Sequence, residues 1–255
     1  MKQILLLLIL ALITVSCASK KDILYFQDSS ELNLEKIEKE FQPTIEVNDI
    51  LYITLSSSNI EVLEPFLRVK QIQQTNSAYN KNPGLGGYLV NVNGEIRFPI
   101  LGDIQVEGKT RQYIEEYLKN KIANYVTDVV VDVRIMNFKI TVIGEVKRPG
   151  IFPINDERVT LMEAIALAGD LTVDANRKTI TVIREENDVQ KVAKINLTTS
   201  DIYNSEFYFL KQNDLVYVEP SKKGVVKTGF VSDISILLSI VTVLLSTVIL
   251  VTNIK

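Results

Sequence analysis

Lys139-Ile140-Thr141-Val142-Ile143-Gly144-Glu145-Val146, Arg148-Pro149-Gly150, Ile151-Phe152-Pro153-Ile154 and then Thr160-Leu161-Met162-Glu163-Ala164-Ile165-Ala166-Leu167-Ala168-Gly169 is the stretch that decides the fold. The first run is rich in β-branched residues and reads as a strand. Arg148-Pro149-Gly150 is a turn, and residues 151–154 are a short return strand. Thr160 and Glu163 stand three apart before an apolar run, the spacing of a capping box, and Gly169 can end the helix in a left-handed cap. Strands follow at residues 179–184, 189–196 and 215–218, the last stopping before Pro220. The order strand, strand, short helix, strands is a β-grasp-like pattern.

Working outward toward the N-terminus, residues 45–55 are strand-like, and folded structure begins there. Residues 56–83 are rich in Ser, Asn and Gln and read as an irregular excursion, with a short helix near Ser58-Asn59-Ile60-Glu61 that Pro65 limits. Residues 87–99 alternate around Asn93-Gly94, which predicts a two-residue hairpin. Thr110 then caps a helix over residues 111–124, where Tyr113, Ile114, Tyr117, Leu118 and Ile122 recur at helical spacing; it is expected on the sheet of that hairpin. A strand over 126–135 closes this unit. The expected fold class is α+β: two small mixed sheet-plus-helix domains, 41–136 and 137–220, a basic linker 221–230 and a C-terminal transmembrane helix, 231–254.

Composition narrows the chemistry. Among 255 residues with net charge −3 there is no His, no Trp and a single Cys. That inventory excludes a serine-histidine or cysteine-histidine relay, a histidine-ligated metal and an internal disulfide. Catalysis would have to rest on carboxylates, Lys or Tyr. Because no acidic pair has distinctive catalytic context, the chain is expected not to be an enzyme and to carry no catalytic residue, metal or cofactor. Its net charge implies no basic surface for nucleic acid. Asp156, Glu157, Glu185 and Glu186 read as solvated turn or strand-face charges. Tyr203, Tyr208 and Tyr217 are candidates for stacking on sugars, although tyrosines in β-rich sequence more commonly serve the core.

The ends of the chain point to a membrane. Lys2 precedes an uncharged run, residues 4–15, too short to span a bilayer, and then Ser16-Cys17-Ala18-Ser19; this is the anatomy of an export signal. It resembles a bacterial lipoprotein signal, residues 1–16, with Cys17 as the acylated first residue, although Thr14 stands where such signals usually carry Leu. Residues 17–40 are polar and charged and read as a tether. At the other end the run from Val231 to Asn253 carries one charge, Asp233. As a helix it would be about 33 Å long, enough to cross a hydrocarbon layer of about 30 Å. Ser235, Ser239, Thr242 and Ser246 fall in one narrow stripe at about 100° per residue and are the candidate pore-lining residues. The two readings of that stripe are a helix packed among copies of itself and a plain anchor.

Several motifs in order resemble the polysaccharide biosynthesis and export family. Val47-Asn48-Asp49-Ile50-Leu51 is similar to its x-G-D-x-L opening, with Asn48 in place of the usual Gly. Residues 87–102 and 106–110 resemble its central signature. Residues 142–150 with 160–170 resemble the soluble ligand-binding β-grasp (SLBB) module, which 210–220 would close. The resemblance covers residues 41–220, giving a polysaccharide export domain over 41–136 and an SLBB domain over 137–220. Wza-like members are ring-shaped outer-membrane lipoproteins that export capsular or extracellular polysaccharide. The resemblance therefore implies a homo-oligomer ring, a polysaccharide substrate and a body in the periplasm, lipid-anchored to the outer membrane, with C-terminal helices forming the pore. The best-known members carry a further β-grasp module, so this shorter body implies an inner-membrane partner, a polysaccharide co-polymerase or chain-length regulator. Lys222, Lys223 and Lys227 before the apolar tail, against Lys255 after it, disfavour arrest in the inner membrane.

Overall fold

The computed structural model describes residues 23–28, 42–67, 86–186, 189–227, 238–243, 246, 247 and 250. The expected signal peptide, Cys17, Ser235 and much of the segment 231–254 lie outside the described residues. Among the described residues no helix is long and apolar enough to cross a membrane.

The first unit is built around β1 (Ile50–Ser56). Asn59 caps a 3₁₀ turn, Ile60–Phe66, by accepting from the Glu61 N–H at 3.1 Å. Then come β2 (Tyr88–Leu89), β3 (Glu95–Phe98), β4 (Gly102–Gln105), α1 (Arg111–Ile122) and β5 (Val130–Ile135). β1 is the centre of a three-stranded antiparallel sheet, with β2 on one side and β5 on the other, in register from Leu51 opposite Ile135 to Ser56 opposite Val130.

The hairpin expected about Asn93-Gly94 is displaced. β2 pairs with β1, and the antiparallel ladder forms instead between β3 and β4, joined through residues 99–101. Asn93-Gly94 still turns, with Gly94 at φ 76°. The turn is closed by backbone bonds, Gly94 N to the Asn91 carbonyl and Asn91 N to the Glu95 carbonyl, each at 2.9 Å, and Asn91 Oδ1 adds to them by accepting from Asn93 N (2.8 Å) and Glu95 N (3.0 Å). The Gly94 carbonyl accepts from Val106 N and Glu107 N, drawing β3 toward β4. α1 is capped by Thr110, as its sequence predicts, and buries Ile114, Leu118 and Ile122. It lies along β5, where Glu115 Oε1 accepts from Val133 N at 3.0 Å, and shares one core with Ile96, Phe98 and Ile104 of the β3-β4 ladder.

The second unit runs β6 (Lys139–Gly144), β7 (Gly150–Pro153), β8 (Val159–Thr160), α2 (Leu161–Leu167), β9 (Ala175–Glu186) and β10 (Val189–Ile195). A 3₁₀ turn, Ser200–Asn204, leads to β11 (Phe209–Leu210), β12 (Leu215–Pro220) and α3 (Lys222–Lys227). The main sheet has the order β10-β9-β12-β6-β7, with β12 parallel to β6 and the other pairs antiparallel, as the β-grasp pattern requires. β8 and β11 form a small side ladder. The capping box holds: Thr160 Oγ1 accepts from Glu163 N, and Glu163 Oε2 accepts from Thr160 N at 2.7 Å. α2 ends at Gly169, φ 80°. Gly144, φ 93°, lets β6 approach β12 so closely that a Cβ there would lie 2.1 Å from the Val218 carbonyl oxygen.

Each unit closes its own core, Leu51, Phe98, Leu118 and Val133 in the first and Ile140, Leu161, Ile180 and Val216 in the second. Half-buried Ile135, at the end of β5, packs against both.

Candidate functional site

Two turns of the same construction face each other where the units meet. In Glu46-Val47-Asn48-Asp49 the Asn48 backbone sits at φ 70°, and in Lys211-Gln212-Asn213-Asp214 Asn213 sits at φ 62°. Asparagine tolerates this left-handed conformation, which explains how Asn48 serves where the resemblance expects Gly. In each turn the aspartate Oδ2 accepts from the first N–H, Glu46 N at 2.9 Å and Lys211 N at 2.8 Å. Each aspartate immediately precedes a strand, β1 or β12. Asn137 stitches the units together: its Oδ1 accepts from Ile50 N (2.8 Å) and its Nδ2 donates to the Asn48 carbonyl (2.9 Å). Gln212 completes the seam, accepting from Lys139 N and donating to the Asn137 carbonyl, both at 2.8 Å.

The two aspartates differ in what neutralises them. Asp214 is fully paired: Arg184 Nε and Nη2 reach its carboxylate at 2.9 and 2.6 Å, Nη2 also donates to the Phe209 carbonyl, and the guanidinium lies 4.6 Å from the Phe207 ring centre. Asp49, 1% exposed, has no such cation, and its Oδ1 is without a hydrogen-bond partner. Burial pushes its carboxyl up to about 6, against the lowering influence of the Glu46 N–H and the Gln212 amide. Glu46 beside it is pushed up to about 7, by burial first and then by the negative charge of Asp49, with Lys211 opposing. Both carboxylates line a cavity of about 800 Å³ between the units, together with Arg111, Arg134, Arg158 and Lys211. Arg111 spans this joint, reaching Glu115 at 3.1 Å on its own helix and Glu157 of the second unit at 2.8 Å.

A second assembly was not legible as a site. Residues 23–28, expected to be part of a tether, are docked on the second unit. Phe26 N and Gln27 N donate to the carbonyls of Leu197 (3.1 Å) and Thr198 (2.8 Å). Asp28 accepts from Ser200 N and Oγ, each at 2.8 Å, and these bonds hold its carboxyl below the usual range. The Tyr25 hydroxyl donates to Asp170 Oδ1 at 2.6 Å, and Arg177, buried, lies 5.5 Å from the Tyr25 ring centre. Burial raises the Tyr25 pKa, and the Asp170 charge adds to it. For Asp170 burial acts upward, but the Tyr25 hydroxyl, the Leu171 N–H, Lys147 and Arg177 together hold it low. The sequence signal for this docking was the apolar run Ile23-Leu24-Tyr25-Phe26 inside a mostly polar stretch.

The strap explains where two of the candidate tyrosines stand. Phe26 stacks on Tyr203 at 5.5 Å, Tyr203 meets Tyr208 at 5.4 Å, and Tyr208 meets Phe209 edge-on at 4.8 Å. Tyr203 and Tyr208 are both half-buried against the second core. Tyr217 is apart from them, in β12 between Ile143 and Thr181 of the flanking strands. Of the candidate pore-lining residues Ser239, Thr242 and Ser246 are described, helical and exposed. Thr242 Oγ1 donates to the Ser239 carbonyl (2.8 Å) and Ser246 Oγ to the Thr242 carbonyl (2.7 Å). Leu238, Ile240, Val241, Val243 and Leu250 around them are exposed as well. Among the described residues no cluster of three or more acidic or thiol side chains is placed to hold a metal.

Residues 38–136 match the family profile described as polysaccharide biosynthesis/export protein, and residues 138–218 match the SLBB domain. Over 98 residues the chain is 37% identical to the EPS I polysaccharide export outer membrane protein EpsA of Ralstonia nicotianae, a stretch covering 37% of this chain and 26% of that protein. The protein of the same name from Ralstonia solanacearum is 39% identical over 94 residues, 36% of this chain and 25% of the relative. The matched stretch thus spans about a quarter of the length of these relatives.

Proposed function

This chain belongs to the Wza-like polysaccharide biosynthesis/export family, and from that premise we propose that it is a subunit of an oligomeric outer-membrane channel that exports capsular or extracellular polysaccharide. The observation that carries the reading is the order of parts: an export domain, an SLBB domain, and then an apolar segment whose described hydroxyls, Ser239, Thr242 and Ser246, fall on one exposed helical stripe. In a ring, copies of residues 231–254 would turn that stripe toward a water-filled lumen and the Leu, Ile and Val faces toward lipid and neighbours. Hydroxyls offer donors and acceptors to a hydrated glycan without fixed charges that would hold an acidic polymer. The two Ralstonia relatives are named as outer membrane proteins, which supports the same location for this chain. Cys17, acylated, would anchor the N-terminus there, with the body in the periplasm and an inner-membrane co-polymerase or chain-length regulator meeting it from below.

A second reading is a glycan-binding or scaffold lipoprotein whose tail is only an anchor. It is favoured by the back-bonding of Thr242 and Ser246 onto their own helix, which satisfies these hydroxyl donors without water. Replacing Ser235, Ser239, Thr242 and Ser246 together with Leu separates the two. A pore should lose export while the protein still reaches the membrane. Unchanged surface polysaccharide would sink the pore and leave the anchor.

A further inference from the structure

Both segments that the preceding reading sends to the membrane leave the second domain beside one loop, between α2 and β9. On one side the strap is fixed there by the Tyr25 hydroxyl on Asp170 and by Arg177 beneath the Tyr25 ring. On the other, Ser221 N donates to the Asp174 carbonyl at 2.6 Å, and Gly224 of α3 packs so closely that a Cβ there would lie 3.1 Å from Asp174. The loop is itself held rigidly. Thr172 donates through N and Oγ1 to the carbonyl and carboxylate of Glu145 at 3.0 and 2.6 Å, and Lys147 N donates to the Asp170 carbonyl at 3.1 Å.

A loop braced in this way nonetheless carries a bare apolar residue at its tip, Val173, 78% exposed. Ile23 and Leu24 at the start of the strap and Val225 on α3 are exposed too. Lys147, Arg148 and Lys222, all exposed, are carried by the segments that meet at this loop. Apolar tips beside basic side chains are the composition of a surface that rests at a lipid interface. Chain length points the same way. The six residue steps from Cys17 to Ile23 can reach about 20 Å, and the four from Lys227 to residue 231 about 14 Å.

We propose that this face of the second domain lies on an anionic phospholipid surface, with Val173, Ile23 and Leu24 at the head-group boundary and Lys147, Arg148 and Lys222 paired with lipid phosphates. The inference rests on the attachment of both chain ends to membrane. It adds that the folded body itself touches the bilayer, and by which residues.

The test uses the full acylated chain, in which Cys17 leaves no other thiol free. Val173→Cys and, as a control, Val92→Cys on the first domain, 84% exposed, each carry an environment-sensitive fluorophore. The chains are reconstituted in vesicles of phosphatidylethanolamine and phosphatidylglycerol containing head-group spin-labelled lipid. The label at 173 should shift to the blue and be quenched severalfold, while the label at 92 stays aqueous. Lys147→Glu with Lys222→Glu should cut the quenching at 173 by about threefold or more without releasing the chain. A chain that floats with the vesicles while its 173 label remains in water overturns this inference alone. A chain that does not float overturns the attachment reading and this one with it. A label at 92 that is quenched in place of 173 reverses the orientation and overturns the proposal.

Discussion

Replacing Asp49 with asparagine should stabilise the protein at neutral pH, against the usual expectation for a change at a buried polar residue. Asp49 is 1% exposed, its Oδ1 has no partner, and burial raises its carboxyl from 3.8 to about 6. A rise from 3.8 to about 6 corresponds to about 3 kcal/mol held against the ionised form. Because the folded value lies above the unfolded one, the folded protein binds the extra proton. The carboxyl's contribution is therefore fully present below about pH 4, is lost as pH rises to about 6, and stays lost above it. Asparagine keeps the acceptor for the Glu46 N–H and puts an uncharged amide where the orphan oxygen stands. The measurement is thermal unfolding of the full chain in detergent, followed by circular dichroism between pH 4 and 8, wild type against Asp49→Asn. The variant should gain up to about 3 kcal/mol at pH 7 and little at pH 4. The difference between the two proteins reports Asp49 together with the relief its loss gives Glu46, and removes the background of Asp128 and Glu186, whose lowered values act in the opposite sense. A variant less stable at pH 7, or a difference that does not change with pH, would refute the account of the joint.

Three further outcomes follow from the same packing. Arg184→Met should cost about 3 to 5 kcal/mol in a urea titration, because it strands Asp214 with its side chain fully buried; Arg184→Met with Asp214→Leu should recover most of that loss. Gly144→Ala should prevent β6 from closing on β12, seen as loss of soluble folded protein on expression, since the added carbon would overlap the Val218 carbonyl. Tyr25→Phe should free the strap by about 1 kcal/mol and speed protease cleavage near residues 23–28 severalfold, leaving the second core intact; unaltered cleavage would mean that the hydroxyl does not hold the strap.

What was legible in the sequence was what local chemistry dictates. Thr160 with Glu163, Thr110 before α1, and the β-branched runs of β6, β9 and β12 each carry their own signal within a few residues, and the structure places them as expected. The hairpin was misplaced because Asn93-Gly94 does turn, closed by backbone bonds between Asn91 and residues 94 and 95, but β2 before it pairs with β1 while β3 after it pairs onward with β4. The short helix expected after Asn59 forms as a 3₁₀ turn that ends at Phe66, one residue past Pro65. The strap was missed because residues 23–28 have no periodicity; their partners, Asp170, Leu197, Thr198 and Ser200, are more than a hundred residues away. The joint was hidden for a related reason. Asp49 and Asp214 occupy matching turns, yet that Asp214 is paired and Asp49 is not depends on Arg184, which only the fold of β9 against β12 brings into place.

The channel account turns on whether water reaches the hydroxyl stripe inside the membrane. The direct measurement is the reaction of Thr242→Cys, in the full acylated chain in intact outer membranes, with a membrane-impermeant thiol reagent. The account predicts that Thr242→Cys reacts much faster than Ile240→Cys, off the hydroxyl stripe of the same segment, and more slowly when polysaccharide is being exported. A thiol at 242 that the reagent never reaches, in cells that still export polymer, would contradict it.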